Sequence, residues 1–314
     1  MRKPFLAAAI LAASIGLAAP APLLAQQQQE TQDRSVGQRI LQGVLDSILP
    51  PQQQQQQQAQ QPAQGSAMEQ VLAHPRRDED RARDVWRHPA ETLAFFQVEP
   101  GMTVVDYMPA GGWYSRVLIP YLGERGTYIG LNPELHPRLT GYWDMYRNAS
   151  TRIPSDAREW VGLEGARVYG ANTDDVPTQF HGRADRVLVF REIHNMRRFG
   201  WLHDSMVAFR NLLRPGGLVG VVQHRARPNA PMSYVLGDNG YQREQDVVAL
   251  FEVYGFELVG RSEINANPSD PANWEGGVWS LPPGMRGADT EAERQRRTAI
   301  GESDRMTLLF RKRD

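Results

Sequence analysis

The sequence predicts an α/β domain built on a mainly parallel sheet, and three observations carry that prediction. From residue 103 onward, short β-branched runs alternate with longer amphipathic ones, the pattern of βαβ crossovers. The runs are apolar on both faces, as strands covered by helices on two sides must be. The series is preceded by a change near Met68 from glutamine-rich to helical, charged sequence that leads into Pro100-Gly101.

In chain order, the strands are expected at Thr103–Met108, Thr127–Leu131, Arg167–Gly170, Arg186–Phe190, Leu218–Gln223, Phe256–Ser262 and Met306–Arg311. Helices are expected at Gly112–Leu122, Trp201–Leu213 and Glu244–Tyr254, with a weaker signal near Arg138–Ser150. The connection Asn265–Asp304 is too long for a plain loop. Its stretch NWEGGVWSLPPGMRG, residues 273–287, is read as a candidate lid with Trp274 and Trp279 as apolar contacts.

The chain begins differently. Arg2 and Lys3 precede an apolar run from Phe5 to Leu17 and a small-residue exit, the make-up of a secretory signal peptide over residues 1–25, cleaved after Ala25. The run is shorter than the roughly 20 residues that span a bilayer, and no later segment qualifies, so the mature chain is expected to have no integral membrane segment. Residues 26–66 are rich in glutamine and proline, which bury too little apolar area to offset chain entropy, and are read as a disordered tether of unknown partner. Within it, Val36–Leu49 has apolar residues at helical spacing and could form a short helix. The folded domain is expected over residues 67–314, and the location is periplasmic or otherwise exported.

Composition excludes several functions. The 35 basic residues balance 36 acidic ones, so no global field selects nucleic acid or an anionic membrane, and the partner is expected to be small. There is no cysteine, which removes disulfides, thiolate catalysis and cysteine-based zinc sites.

Ligands of open parallel sheets bind beyond the carboxyl ends of the strands, where the first strand turns into its helix. That segment is VVDYMPAGGWYSRVL, residues 104–118, in which Asp106 ends the strand and Gly111-Gly112 permit close backbone approach. By itself it is equally an ordinary strand-to-helix turn. Tyr107, Trp113 and Tyr114 flank it, as pocket walls or as packing. For acid–base work the candidates are Glu192, His194 and His224, with Arg191 and Arg225 beside them, at the ends of neighbouring strands. Each histidine is equally a hydrogen-bonded structural residue, and neither belongs to a metal-ligand spacing, so no metal is expected. Arg83, Asp84 and Arg87 have helical spacing and read as an ion pair on a solvated face. RQRR, residues 294–297, reads as a charged helix face.

The ordered series of motifs resembles the class I S-adenosylmethionine-dependent methyltransferases over residues 80–314. It is nearest to a group of exported bacterial methyltransferases known from sequence, with which it shares the opening RARDVWRHPAETLAFFQVEPGMTVVD at 81–106. LRPGGLVGVVQHRARP, residues 213–228, is similar to the family's helix-turn-strand signature, and ADRVLVFREIHNM, residues 184–196, to its fourth strand, whose residues face the transferred methyl group. The resemblance implies a Rossmann-like, seven-stranded sheet with helices on both faces, the last strand antiparallel between the fifth and sixth. It implies S-adenosylmethionine as cofactor and methyl transfer to an unidentified small-molecule acceptor, with Glu192, His194 and His224 as catalytic candidates. The cofactor-binding residues it implies are Asp106, Ala110, Gly111 and Gly112 in the first turn, Asn132 and Glu134 after the second strand, and Asn172 and Asp174 after the third. The family's D/E-x-G-x-G-x-G becomes D-x-x-P-A-G-G here, and asparagine replaces the usual ribose and adenine acids, exchanging a charge-assisted hydrogen bond for a neutral one. These departures favour a second expectation, a non-catalytic exported binding protein that retains the fold. The dinucleotide fingerprint G-x-G-x-x-G is not present after the first strand.

Cell fractionation tests the leader: a chain shortened at its N-terminus is expected outside the cytoplasm, and an intact, uncleaved chain in the cytoplasm would contradict it.

Overall fold

The computed structural model describes residues 66–313; the leader, the tether and the Val36–Leu49 stretch lie outside the described residues. Seven strands, β1 (Thr103–Tyr107), β2 (Thr127–Asn132), β3 (Arg167–Asn172), β4 (Ala184–Phe190), β5 (Leu213–His224), β6 (Phe256–Ser262) and β7 (Arg305–Lys312), form one sheet in the order β3-β2-β1-β4-β5-β7-β6. β1 to β5 pair in parallel, and β7 runs antiparallel between β5 and β6. The expected topology is therefore the one observed, with seven strands at the predicted places and ends displaced by a few residues.

The period of two along each strand divides the core. Val105, Ile129, Val187, Val189, Val219, Leu308 and Phe310 face one layer, and Val104, Tyr128, Leu188, Leu218 and Leu309 face the other. The first layer is closed by helices α6 (Ile193–Phe199), α7 (Leu202–Leu212) and α8 (Glu244–Val253), which contribute Met196, Phe209 and Phe251. The second is closed by α3 (Pro89–Phe95), α4 (Ser115–Leu122) and α5 (Ala149–Val161), through Leu93, Leu118 and Ile153. Before them come α1 (Ala67–Ala73), capped by Ser66 and Glu69, and the single turn α2 (Asp84–Arg87). Among the described residues no helix is long and apolar enough to cross a membrane.

Sequence periodicity misses α5, placing a weaker helix at Arg138–Ser150 where the chain instead makes a 3-10 stretch, Gly141–Tyr146, before α5 begins. The cause is a narrow stripe: α5 buries Ala149, Ile153, Ala157 and Val161, one residue per turn and two of them alanine, and Pro154 interrupts the pattern. Its seat is nevertheless written into the strands. A Cβ on Gly130 would meet Ile153 at 2.5 Å, and one on Gly170 would meet the Ser150 carbonyl at 2.4 Å, so two strand glycines let the helix lie close on β2 and β3.

The Asn265–Asp304 connection folds as a 3-10 turn, Gly277–Ser280, and a helix, α9 (Glu291–Ile300), which carries the basic run. With the loop after β5 it encloses a small separate core of Ala226, Val235, Tyr241, Ala272 and Val278, against which Trp274 and Trp279 pack.

Phe310 on β7 is stacked on Phe251 of α8 at 4.2 Å, both rings fully buried. Phe310→Ala is expected to cost about 3–5 kcal/mol in urea denaturation, through lost transfer energy and the cavity left between β7 and α8.

Candidate active site

Three non-glycine residues at the carboxyl ends of the two central strands hold left-handed backbone: Met108 (φ 52°) and Ala110 (φ 52°) after β1, and Arg191 (φ 65°) after β4. Such conformations cost about 1–3 kcal/mol each and concentrate at sites where geometry is dictated by ligand chemistry. Here they flank two adjoining chambers that share Ala110, Arg191 and Glu192 as a common wall.

The smaller chamber, about 290 Å3, lies under the glycine turn and is lined by Asp106, Ala110, Gly111, Trp113, Tyr114 and Phe190, with the guanidiniums of Arg83, Arg87, Arg116 and Arg191. Tyr114 stacks on Phe190 at 3.5 Å, and Trp113 lies under Arg87 at 4.5 Å, so both aromatics after the turn are pocket walls, whereas Tyr107 is core, its hydroxyl bonded to Ser205 at 2.8 Å. The expected solvated Asp84–Arg87 pair does not form. Asp84 instead receives both terminal nitrogens of Arg77, and Arg87, 3% exposed, points Nε to Glu302 at 3.3 Å. Glu302 also accepts Nε of Arg83 at 2.5 Å and the Arg305 guanidinium. Burial pushes the Glu302 carboxyl up, but Arg305, Arg87, Arg191 and Arg83 outweigh it and hold it at about 2. Among the described residues, the terminal nitrogens of Arg83 and Arg87 and the whole Arg191 guanidinium have no protein acceptor. Three cationic forks are therefore left with donors to spare where all three line one chamber.

Two carboxyls oppose them. Asp106, 2% exposed, accepts the Tyr128 hydroxyl at 2.9 Å; burial raises it to about 7 against the opposing pull of Tyr128, Ser115 and Arg191. Glu192 accepts Asn195 Nδ2 at 2.8 Å, and burial likewise raises it to about 7.

The larger chamber, about 500 Å3, is lined by Glu192, His194 and His224, by Tyr142, Trp143 and Tyr146 from the stretch after β2, and by Trp279 and Arg286 of the long connection. The three catalytic candidates thus converge. Burial drives both histidines down, His194 to about 3 and His224 well below its ordinary value. Both histidines are therefore neutral near pH 7, and of the three candidates Glu192 is the group whose acidity suits proton transfer there. Of the two tryptophans read as lid contacts, Trp279 reaches the chamber, while Trp274 gives its indole N–H to Asp270. Arg225 turns away to Asp304 and Glu263 and lines, with Asp304, a separate cavity of about 530 Å3.

The cofactor candidates divide. Asp106, Ala110 and Gly111 line the smaller chamber. Gly112 (φ 76°) is a packing glycine, since a Cβ there would sit 2.5 Å from Trp160. Asn132, Glu134, Asn172 and Asp174 line neither chamber; Asn132 is buried with its Oδ1 unpartnered, and Glu134 accepts Asn172 Nδ2 at 3.2 Å. The residues sequence reasoning left out are Glu302, Arg286 and the Tyr142–Trp143–Tyr146 group. The dense aromatics of GYWDMY were the available sign of the last; Glu302 stands in no motif.

No protein-family model and no curated protein sequence matches the chain. Among solved structures it is similar to an S-adenosylmethionine-dependent methyltransferase from Aquifex aeolicus (17% identity, TM-score 0.44, 63% of this chain and 92% of that one). It is similar also to geranyl diphosphate C-methyltransferase from Streptomyces coelicolor (14%, 0.45, 80% and 85%). A third is the 1,6-didemethyltoxoflavin-N1-methyltransferase of Burkholderia thailandensis (14%, 0.43, 76% and 82%). At these identities the likeness is one of fold.

Asp106 links the site to stability. Unfolded, its carboxyl ionises near about 4; folded, near 7. Folding therefore takes up a proton between these values, and the stability it contributes at low pH is lost as pH rises through about 7. Asp106→Asn, which cannot ionise, is expected to raise the melting temperature at pH 8 by roughly 10 °C, the rise from about 4 to about 7 corresponding to about 4 kcal/mol, and to leave it unchanged at pH 4.

Proposed function

We propose that the chain is an exported methyltransferase that takes a methyl group from S-adenosylmethionine and gives it to a small acceptor. The observation that carries this reading is the charge pattern of the smaller chamber. An α-amino acid is a zwitterion, and its recognition needs a cationic fork and a carboxylate close together. Arg83, Arg87 and Arg191 offer the first, and Asp106 and Glu192 the second, directly beneath the turn where the sequence motif places the methionine end of the cofactor. The residues lining the smaller chamber therefore fit the amino-acid end of the group.

When bound, the cofactor supplies an electrophilic methyl group, and displacement at such a carbon mostly needs positioning. The protein's part is to orient the acceptor in the larger chamber, exclude water with the Tyr142–Tyr146 and Trp279 walls, and receive the acceptor's proton on Glu192, which the two chambers share. The second reading, a non-catalytic binding protein, is favoured by one fact: Asn132, Glu134, Asn172 and Asp174 line neither chamber.

Calorimetric titration of the purified chain separates these readings. S-adenosylhomocysteine is expected to bind in the micromolar range and 5′-methylthioadenosine, which lacks the amino-acid end, about tenfold or more weaker. Arg87→Lys keeps a cation for Glu302 but loses the planar fork, and is expected to weaken only the first ligand, by about tenfold. Affinity for the first should fall as pH drops below about 7, where Asp106 and Glu192 take up protons and no longer pair with an ammonium. No heat at millimolar S-adenosylhomocysteine would favour the binding-protein reading.

A further inference from the structure

The larger chamber has walls and charges that methyl transfer as such does not require. Its flat apolar surfaces come from two separate stretches of chain and are held in place. Trp143 meets Phe199 at 4.7 Å and Trp201 at 5.5 Å, edge to face. Trp279 has the Arg286 guanidinium over it at 5.0 Å, the Arg198 guanidinium at 5.9 Å and the His194 ring at 5.8 Å.

Aromatic walls of this kind commonly receive organic cations. Here two guanidiniums already lie over Trp279, and a further cation would meet like charge. Arg198 is paired with Asp238 at 3.4 Å, while Arg191 and Arg286 have no ion-pair partner among the described residues. The remaining acid, Glu192, is the carboxyl that burial keeps partly protonated at neutral pH. The excess charge in the chamber is thus positive.

The polar floor is also set. Gln223 has its amide orientation fixed by backbone, with Oε1 accepting the Ile193 amide at 3.1 Å and Nε2 donating to the Gly240 carbonyl at 2.8 Å. Its Nε2 faces His194 Nδ1 at 3.4 Å and makes that ring nitrogen an acceptor. The imidazole proton then resides on Nε2, a fixed donor on a residue that lines the chamber.

Flat apolar walls, two unpaired guanidiniums and a neutral donor together describe one class of ligand. We propose that the larger chamber is a binding site for planar aromatic acids, the ring lying against the Trp143 and Trp279 indoles and the carboxylate meeting Arg191 and Arg286. Only the further statement that such an acid is the methyl acceptor rests on the function proposed above; binding itself does not.

The test is titration of the full chain, without cofactor, with 4-hydroxybenzoate, cyclohexanecarboxylate and benzyltrimethylammonium. 4-Hydroxybenzoate is expected to bind about tenfold or more tighter than either of the others, with Arg286→Met and Trp279→Leu each weakening it about fivefold or more. Arg286 is exposed, so its replacement leaves the fold intact and keeps the test valid if Trp279→Leu is unstable. The proposal is overturned by an absence of heat at about 10 mM 4-hydroxybenzoate, by tighter binding of the ammonium, by equal binding of the non-aromatic acid, or by no effect of Arg286→Met. S-adenosylhomocysteine titrated in parallel keeps the two ideas apart: aromatic-acid binding without it leaves this site standing and removes methyl transfer, and the reverse outcome removes only this site.

Discussion

One buried carboxylate organises the site. Glu302, at the foot of β7, draws Arg83 and Arg87 from the N-terminal helical layer and Arg305 from the sheet onto a single anion. Three cations on one carboxylate leave a surplus of positive charge and of N–H donors, and that surplus is turned into the chamber beneath the first strand's turn. Losing the anion would strand buried guanidiniums, a change typically worth about 3–5 kcal/mol. The same contact thus ties the beginning of the domain to its end and sets the sign of the field where ligands are expected.

The sheet order supplies the other half. Because β1 and β4 are neighbours, the left-handed residues after each, Ala110 and Arg191, meet in one wall, and the two chambers lie on either side of it. Only Ala110, Arg191 and Glu192 are shared between them. That arrangement suits a reaction between two bound molecules better than the storage of one, although the fold alone is compatible with both.

How much of this was legible in the sequence depended on the kind of signal. Strands announced themselves because they are buried on both faces and must be apolar throughout; the place of β7 between β5 and β6 came from the family resemblance and not from periodicity. Asp106, Ala110 and Gly111 were picked out because strand-end turns are where open sheets bind ligands, and they do line the smaller chamber. Glu192, His194 and His224 could be grouped from sequence because they end adjacent strands, and they line one chamber; their acidities could not be read there, because burial, which reverses the ranking of histidine and glutamate, is a property of the folded surroundings. Glu302 was invisible for a similar reason, since its three partners lie up to 219 positions away. Gly112 looked like a cofactor glycine and proved to be one that admits Trp160, and nothing local to the turn distinguishes the two roles.

The antiparallel insertion also bears on when the molecule can become whole. Among the described residues β6 is bonded to the sheet only through β7, which follows it in the chain. Until Arg305–Lys312 is in place, β5 is an open edge, β6 has nowhere to attach, α8 lacks Phe310 as its seat, and Glu302 has not yet met Arg83 and Arg87. Closing the sheet and assembling the charged chamber therefore both wait on the pairing of β7, so the two are one event rather than two.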